Sequence, residues 1–96
     1  MSTGIQPTRL QTQTHGSVTA DRTLDCRGTL CPVPIIRARQ ELDSLDPGQV
    51  LEVLATDLGA KADFPAFARN TGHALVAAEE REGVFIFYLK KVEVQP

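Results

Sequence analysis

The sequence predicts an α/β two-layer sandwich with two helices on one face of a four-stranded mixed sheet. Two amphipathic helical stripes, four short apolar runs of strand character and their order along the chain, β-α-β-α-β-β, carry that expectation. A right-handed crossover after each of the first two strands places both helices on the same side of the sheet. The other face is then left partly open, which suggests a partner or a self-contact there. With 96 residues the chain is expected to form one domain.

Residues 1–22 are expected to be a flexible N-terminal tail, and residues 23–96 the folded domain. The tail is rich in Thr, Gln, Ser and Gly with isolated apolar residues, too little to offset the entropy of ordering it. His15 within it is expected to be solvated. Thr23-Leu24-Asp25-Cys26 reads as the first strand, ended by Arg27-Gly28-Thr29. Cys31-Pro32-Val33-Pro34 then opens a helix whose apolar stripe is Ile35, Ala38, Leu42 and Leu45. Pro32 suits a first helical turn, where a missing N–H loses no partner. Asp46-Pro47-Gly48 stops this helix.

Val50 to Thr56 is a nearly continuous apolar run, as expected of a central strand buried on both sides. After a connection at Asp57–Gly59, the residues Ala60, Phe64, Phe67 and Ala68 form the second helical stripe. Pro65 falls in its first turn if Asp63 is the N-cap, and Gly72 fits the position just past its end. Residues 73–79 and 84–92 are the last two strands, joined through Arg81-Glu82-Gly83 as a hairpin.

Charge narrows the function classes. The whole chain carries −2; residues 1–22 contribute +1 and residues 23–96 contribute −3. A domain that grips nucleic acid through its phosphates normally shows a basic face. Here only Lys90-Lys91 and the Arg37/Arg39 pair cluster, so strong nucleic-acid binding is not expected. No apolar run is long enough to span a membrane, no secretory leader pattern is present, and two cysteines are too few for a disulfide-stapled secreted fold. The expected location is the cytoplasm.

The informative residue is Cys31, where a turn hands over to a helix. A helix start carries partial positive charge and unpaired N–H groups, and a cysteine there is expected to shift toward thiolate. Arg27 and Arg37 could add positive potential, and the two prolines stiffen the mount. The alternative is a cysteine packed as a small hydrophobe. Cys26, five residues earlier, reads as a buried structural thiol or as a second, resolving thiol; the spacing is not that of a Cys-x-x-Cys redox pair. Two cysteines with His15 and a distant His73 do not assemble a zinc site, so neither metal nor cofactor is expected. His73 is read as structural. One nucleophilic sulfur without an evident acid, base or cofactor describes a carrier better than a complete enzyme.

The stretch Leu24-Asp25-Cys26-Arg27-Gly28-Thr29-Leu30-Cys31-Pro32-Val33-Pro34 resembles the N-terminal signature of the TusA/SirA/YedF family of small sulfur-carrier proteins, an Asp-x-Arg-Gly followed by Cys-Pro-x-Pro. The resemblance continues through Asp57, Asp63-Phe64-Pro65-x-Phe67 and Gly72-His73, and covers roughly residues 23–92. Thr29 and Leu58 depart from the residues usual in the family. The resemblance implies a sulfurtransferase-type carrier in which Cys31 accepts sulfane sulfur as a persulfide, with Arg27, Gly28, Pro32 and Pro34 as its supporting motif. It implies a cysteine desulfurase or rhodanese-like enzyme as sulfur donor. It also implies a downstream acceptor protein in tRNA 2-thiolation, molybdenum-cofactor synthesis or sulfur oxidation. Two other readings stay open: a thiol redox switch using Cys26 and Cys31, and a non-enzymatic regulatory or RNA-interacting module.

Overall fold

Strand β1 (Arg22–Cys26) leads into helix α1 (Val33–Ser44), strand β2 (Val50–Ala55) and helix α2 (Ala60–Thr71). The hairpin strands β3 (Ala74–Arg81) and β4 (Val84–Lys90) complete the chain in a computed structural model that describes residues 19–93. The strands lie side by side in the order β1-β2-β4-β3. β1 and β2 are parallel and end level, Cys26 beside Ala55. The pairs β2–β4 and β3–β4 are antiparallel. The mixed four-stranded sheet and the element order agree with the sequence expectation.

One face of the sheet holds the core. Alternation along β2 sends Leu51, Val53 and Ala55 inward, where all three are fully buried. They meet Leu24 and Cys26 of β1, Phe85, Phe87 and Leu89 of β4, and the inward stripes of both helices. The α1 stripe behaves as read: Ala38, Leu42 and Leu45 are buried and Ile35 packs against them. In α2, Phe64 stacks on Phe87 with ring centroids 4.6 Å apart and meets Phe67 edge-on at 6.3 Å, the two arrangements aromatic quadrupoles favour. β2 is central, but it is not buried on both sides. Its outward residues Val50, Glu52 and Leu54 are only half-buried, because both helices occupy the inner face. The outer face carries a polar row. Glu52 accepts hydrogen bonds from Thr23 Oγ1 (2.8 Å) and from Tyr88 Oη (2.9 Å), while Tyr88 itself is buried.

The element ends follow local chemistry. Gly72 takes a left-handed conformation (φ 87°) and its N–H closes α2 on Ala68 O. Glu82 and Gly83, both at positive φ, make the tight β3–β4 turn. His73 Nδ1 accepts the N–H of Val92 at 3.2 Å, and burial pushes its pKa down; it is a structural link. Residues 1–18, which include His15 and most of the expected tail, lie outside the described residues. Within that expected tail, Asp21 already pairs with β2. Its N–H donates to Val50 O and its Oδ2 accepts the Val50 N–H, each at 2.8 Å.

The start of α2 differs from expectation. Gly59 is already in a right-handed helical conformation, and the N–H groups of Ala60, Lys61 and Ala62 bond to the carbonyls of Asp57, Leu58 and Gly59. The helix therefore begins three residues before Asp63. Asp63 sits in the first turn rather than at the N-cap, and Pro65 falls inside the helix. That shift frees the Asp63 side chain for another use.

Candidate functional site around Cys31

Cys31 lies beyond the level carboxyl ends of the parallel strands β1 and β2, where both helices begin. Such an end is where open α/β sheets tend to place their ligands. The turn Cys26–Thr29 carries the chain out of β1. Gly28 adopts φ 83° in it, and its N–H donates to Thr56 Oγ1 at 2.9 Å, tying the turn to the end of β2. Thr29 closes the turn with its N–H and its hydroxyl on Cys26 O. Pro32 is the N-cap of α1 and Pro34 lies in its first turn, buried. The Cys31–Pro32 peptide is cis.

Two carboxylates, one from the β2–α2 connection and one from α2, converge on Cys31. The Cys31 N–H donates to Asp57 Oδ2 at 3.2 Å, and Cys31 Sγ donates to Asp63 Oδ2 at 2.8 Å. Gly59 leaves room for the Asp57 carboxylate. A Cβ there would lie 3.0 Å from Asp57 Oδ2, 3.6 Å from Asp63 Oδ2 and 3.8 Å from Cys31 Cβ.

The thiol's electrostatics run opposite to the expectation of a favoured thiolate. The hydrogen bond to Asp63, partial desolvation and the negative charges of Asp63 and Asp57 raise the Cys31 pKa. The helix start supplies little to oppose them. Cys31 precedes the first helical residue by two positions, the Val33 N–H is taken by Leu30 O at 2.9 Å, and prolines occupy positions 32 and 34. Arg27 does not turn to the sulfur either. It forms a bidentate pair with Asp25 (2.9 and 2.8 Å), which holds the Asp25 carboxyl down at about 2. Arg37 acts on Cys26 and Asp25 instead.

From Cys31 a groove of about 350 Å³ runs between α1 and α2. Pro32, Ile35 and Phe67 give it apolar walls; Arg39, Asn70 and Thr71 line its far part. Leu30, next to Cys31 in the chain, and Leu58, between Asp57 and Gly59, are 71% and 75% exposed.

The sequence model of the TusA sulfurtransferase matches residues 22–91. The chain belongs to the TusA sulfurtransferase family. The sulfur carrier protein TusA of Allochromatium vinosum is 48% identical over 71 residues, spanning 74% of this chain and 93% of its own. The TusA of Pseudomonas syringae pv. syringae is 37% identical over 75 residues, 78% of this chain and 89% of its own. Among solved structures, a SirA-like protein from Desulfitobacterium hafniense superposes with a TM-score of 0.67 at 28% identity. That match covers 75% of this chain and 99% of the other.

The TusA-type signature residues divide once they are placed in space. Gly28, Cys31, Pro32 and Pro34 build the mount of the thiol. Arg27 stands apart in its pair with Asp25. Cys26 is fully buried on the core side of β1, and burial pushes its pKa up. Both thiols are free, Cys26 buried in the core and Cys31 exposed to solvent. Among the described residues no group of side chains could hold a metal ion, and no helix is long and apolar enough to cross a membrane. Three residues that touch or shape the thiol's surroundings were not picked out for that role by the chemistry of the sequence: Asp57, Gly59 and Asp63.

Proposed function

We propose that this TusA-family chain carries sulfane sulfur as a persulfide on Cys31. It would take the sulfur from a cysteine desulfurase or rhodanese-like donor and pass it to an acceptor protein. The observation that carries this reading is an exposed cysteine at the mouth of a groove, mounted on Pro32 and Pro34, with exposed leucines next to it in the chain (Leu30) and next to its partner Asp57 (Leu58). Exposed apolar residues around a reactive group suit docking to another protein.

In uptake, a bond forms between Cys31 Sγ and the outer sulfur of a donor persulfide R–S–S–H, and the donor's S–S bond breaks. R–S–H and Cys31–S–S–H result, with the thiol proton ending on the leaving sulfur and no net redox change. Delivery is the same exchange with the carrier as donor. The acceptor belongs to tRNA 2-thiolation, molybdenum-cofactor synthesis or sulfur oxidation, and the work is cytoplasmic. Gly28, Pro32 and Pro34 would hold the thiol in place, while Arg27 keeps the preceding turn paired to Asp25.

A reversible Cys26–Cys31 switch is disfavoured because Cys26 would have to leave the core. Intact-protein mass after incubation with a cysteine desulfurase and cysteine tests the carrier reading. The wild type is expected to gain one sulfur atom, lost on reduction, and Cys31→Ser to gain none while keeping its thermal melt. Sulfur retained by Cys31→Ser would overturn it.

A further inference from the structure

We infer that Asp63 is the proton acceptor for the Cys31 thiol during sulfur uptake, a role that rests on the carrier reading and adds a second residue to its chemistry. The argument is geometric. The Asp63 carboxylate is the partner to which Sγ donates, at 2.8 Å, within the reach required of a general base. It is held there from an independent element, the first turn of α2. The neighbouring carboxylate fixes the other side of the same residue, Asp57 Oδ2 on the Cys31 N–H. The missing Cβ of Gly59 leaves room for the Asp57 oxygen beside Cys31.

The charged groups around the sulfur agree on one consequence. Asp63 meets it from α2, Asp57 adds its negative charge from the β2–α2 connection, and Arg39 of α1 lines the same groove. Arg27 is engaged by Asp25. Two carboxylates near the sulfur keep the resting thiol protonated, a tendency matched by its raised pKa. A thiolate waiting beside two negative charges would also repel an incoming anionic persulfide. A thiol that surrenders its proton to Asp63 as the new S–S bond forms avoids both penalties, because the carboxylate becomes neutral at the moment sulfur charge develops. The Sγ–H bond breaks to Asp63 Oδ2, Sγ bonds the donor's outer sulfur, the donor's S–S bond breaks, and the leaving thiolate takes the proton back from Asp63. Charge and electrons balance, and the carboxylate is regenerated.

The test pairs two rates on the full chain. Alkylation of Cys31 by iodoacetamide across pH reads the thiolate; uptake of one sulfur from inorganic polysulfide, read by intact mass, reads the transfer. N-acetylcysteine serves as the reference thiol in both. In Asp63→Asn the alkylation profile is expected to move to lower pH, because a negative neighbour is gone. Uptake at pH 7 is expected to fall by about tenfold or more, since a positioned base contributes on the order of a hundredfold. Opposite signs in the two assays support the inference. Faster or equal uptake would make Asp63 only a restraint on the thiolate, and an unmoved alkylation profile would mean that Asp63 does not hold the thiol in solution; either result overturns it.

Should Asp63→Asn fail to fold, the wild type decides alone: relative to the reference thiol, uptake must persist at pH values where alkylation has already dropped, and decline in step refutes the role. A wild type that takes up no sulfur on Cys31 refutes the carrier reading instead, while the alkylation profile of Asp63→Asn still reports on the Asp63 contact.

Discussion

Cys26 and Cys31 stand five positions apart and occupy opposite environments: one has no exposed surface in the core, the other is in solvent at the mouth of a groove. A division of labour between them has a measurable consequence. Cys26→Ala removes one buried sulfur from a packed site, which should cost about 1–2 kcal/mol of unfolding free energy. Sulfur uptake on Cys31 should persist undiminished; a urea titration and the mass assay read the two effects separately. Loss of uptake in that variant, with the fold intact, would point to a two-thiol mechanism. The Cys31 mount was legible in the sequence because its parts are local: a glycine turn, a cysteine and two prolines within seven positions. Asp63 was not. It lies 32 positions away, its spacing from Pro65 reads equally well as an N-cap, and only the helix starting at Ala60 turns its carboxylate onto the sulfur.

At the scale of elements, the two βα connections do the positioning. Each parallel strand ends, turns and enters a helix, and the two turns are laced together by the Gly28 N–H on Thr56 Oγ1 and the Cys31 N–H on Asp57 Oδ2. Gly28 is the residue through which this lacing is most cleanly tested. Its φ of 83° is unfavourable for any side chain, yet an added Cβ would meet nothing within 4 Å. Gly28→Ala should therefore cost backbone strain alone, about 1–2 kcal/mol, visible as a lower urea midpoint with an unchanged slope. A neutral result would show that the turn relaxes without its positive φ. Element order and both helical stripes followed from apolar periodicity, because burial on a single face imposes it. The start of α2 did not, since the turn formed by Asp57, Leu58 and Gly59 is built from backbone hydrogen bonds that leave no side-chain pattern.

For the whole molecule, the sandwich is strongly one-sided. Its core cluster lies between the helices and one sheet face, with only Ile86 and Tyr88 of β4, among the described residues, buried on the other, and the thiol sits at the rim of that core layer, beyond the carboxyl ends of the parallel strand pair. The net charge of −2 and the carboxylates at the site fit a protein partner better than a polyanion. The wholly enclosed Cys26 turns this asymmetry into an internal gauge of opening. In the native chain a thiol reagent should mark one cysteine at once, while the second mark must wait for the core to part. Under conditions where reclosing outpaces labelling, the rate of that second addition divided by the rate for the denatured chain gives the opening equilibrium directly, without denaturant extrapolation. Read in carrier loaded on Cys31 and in empty carrier, the same clock would report whether a cargo of a single sulfur atom tightens or loosens the protein that bears it.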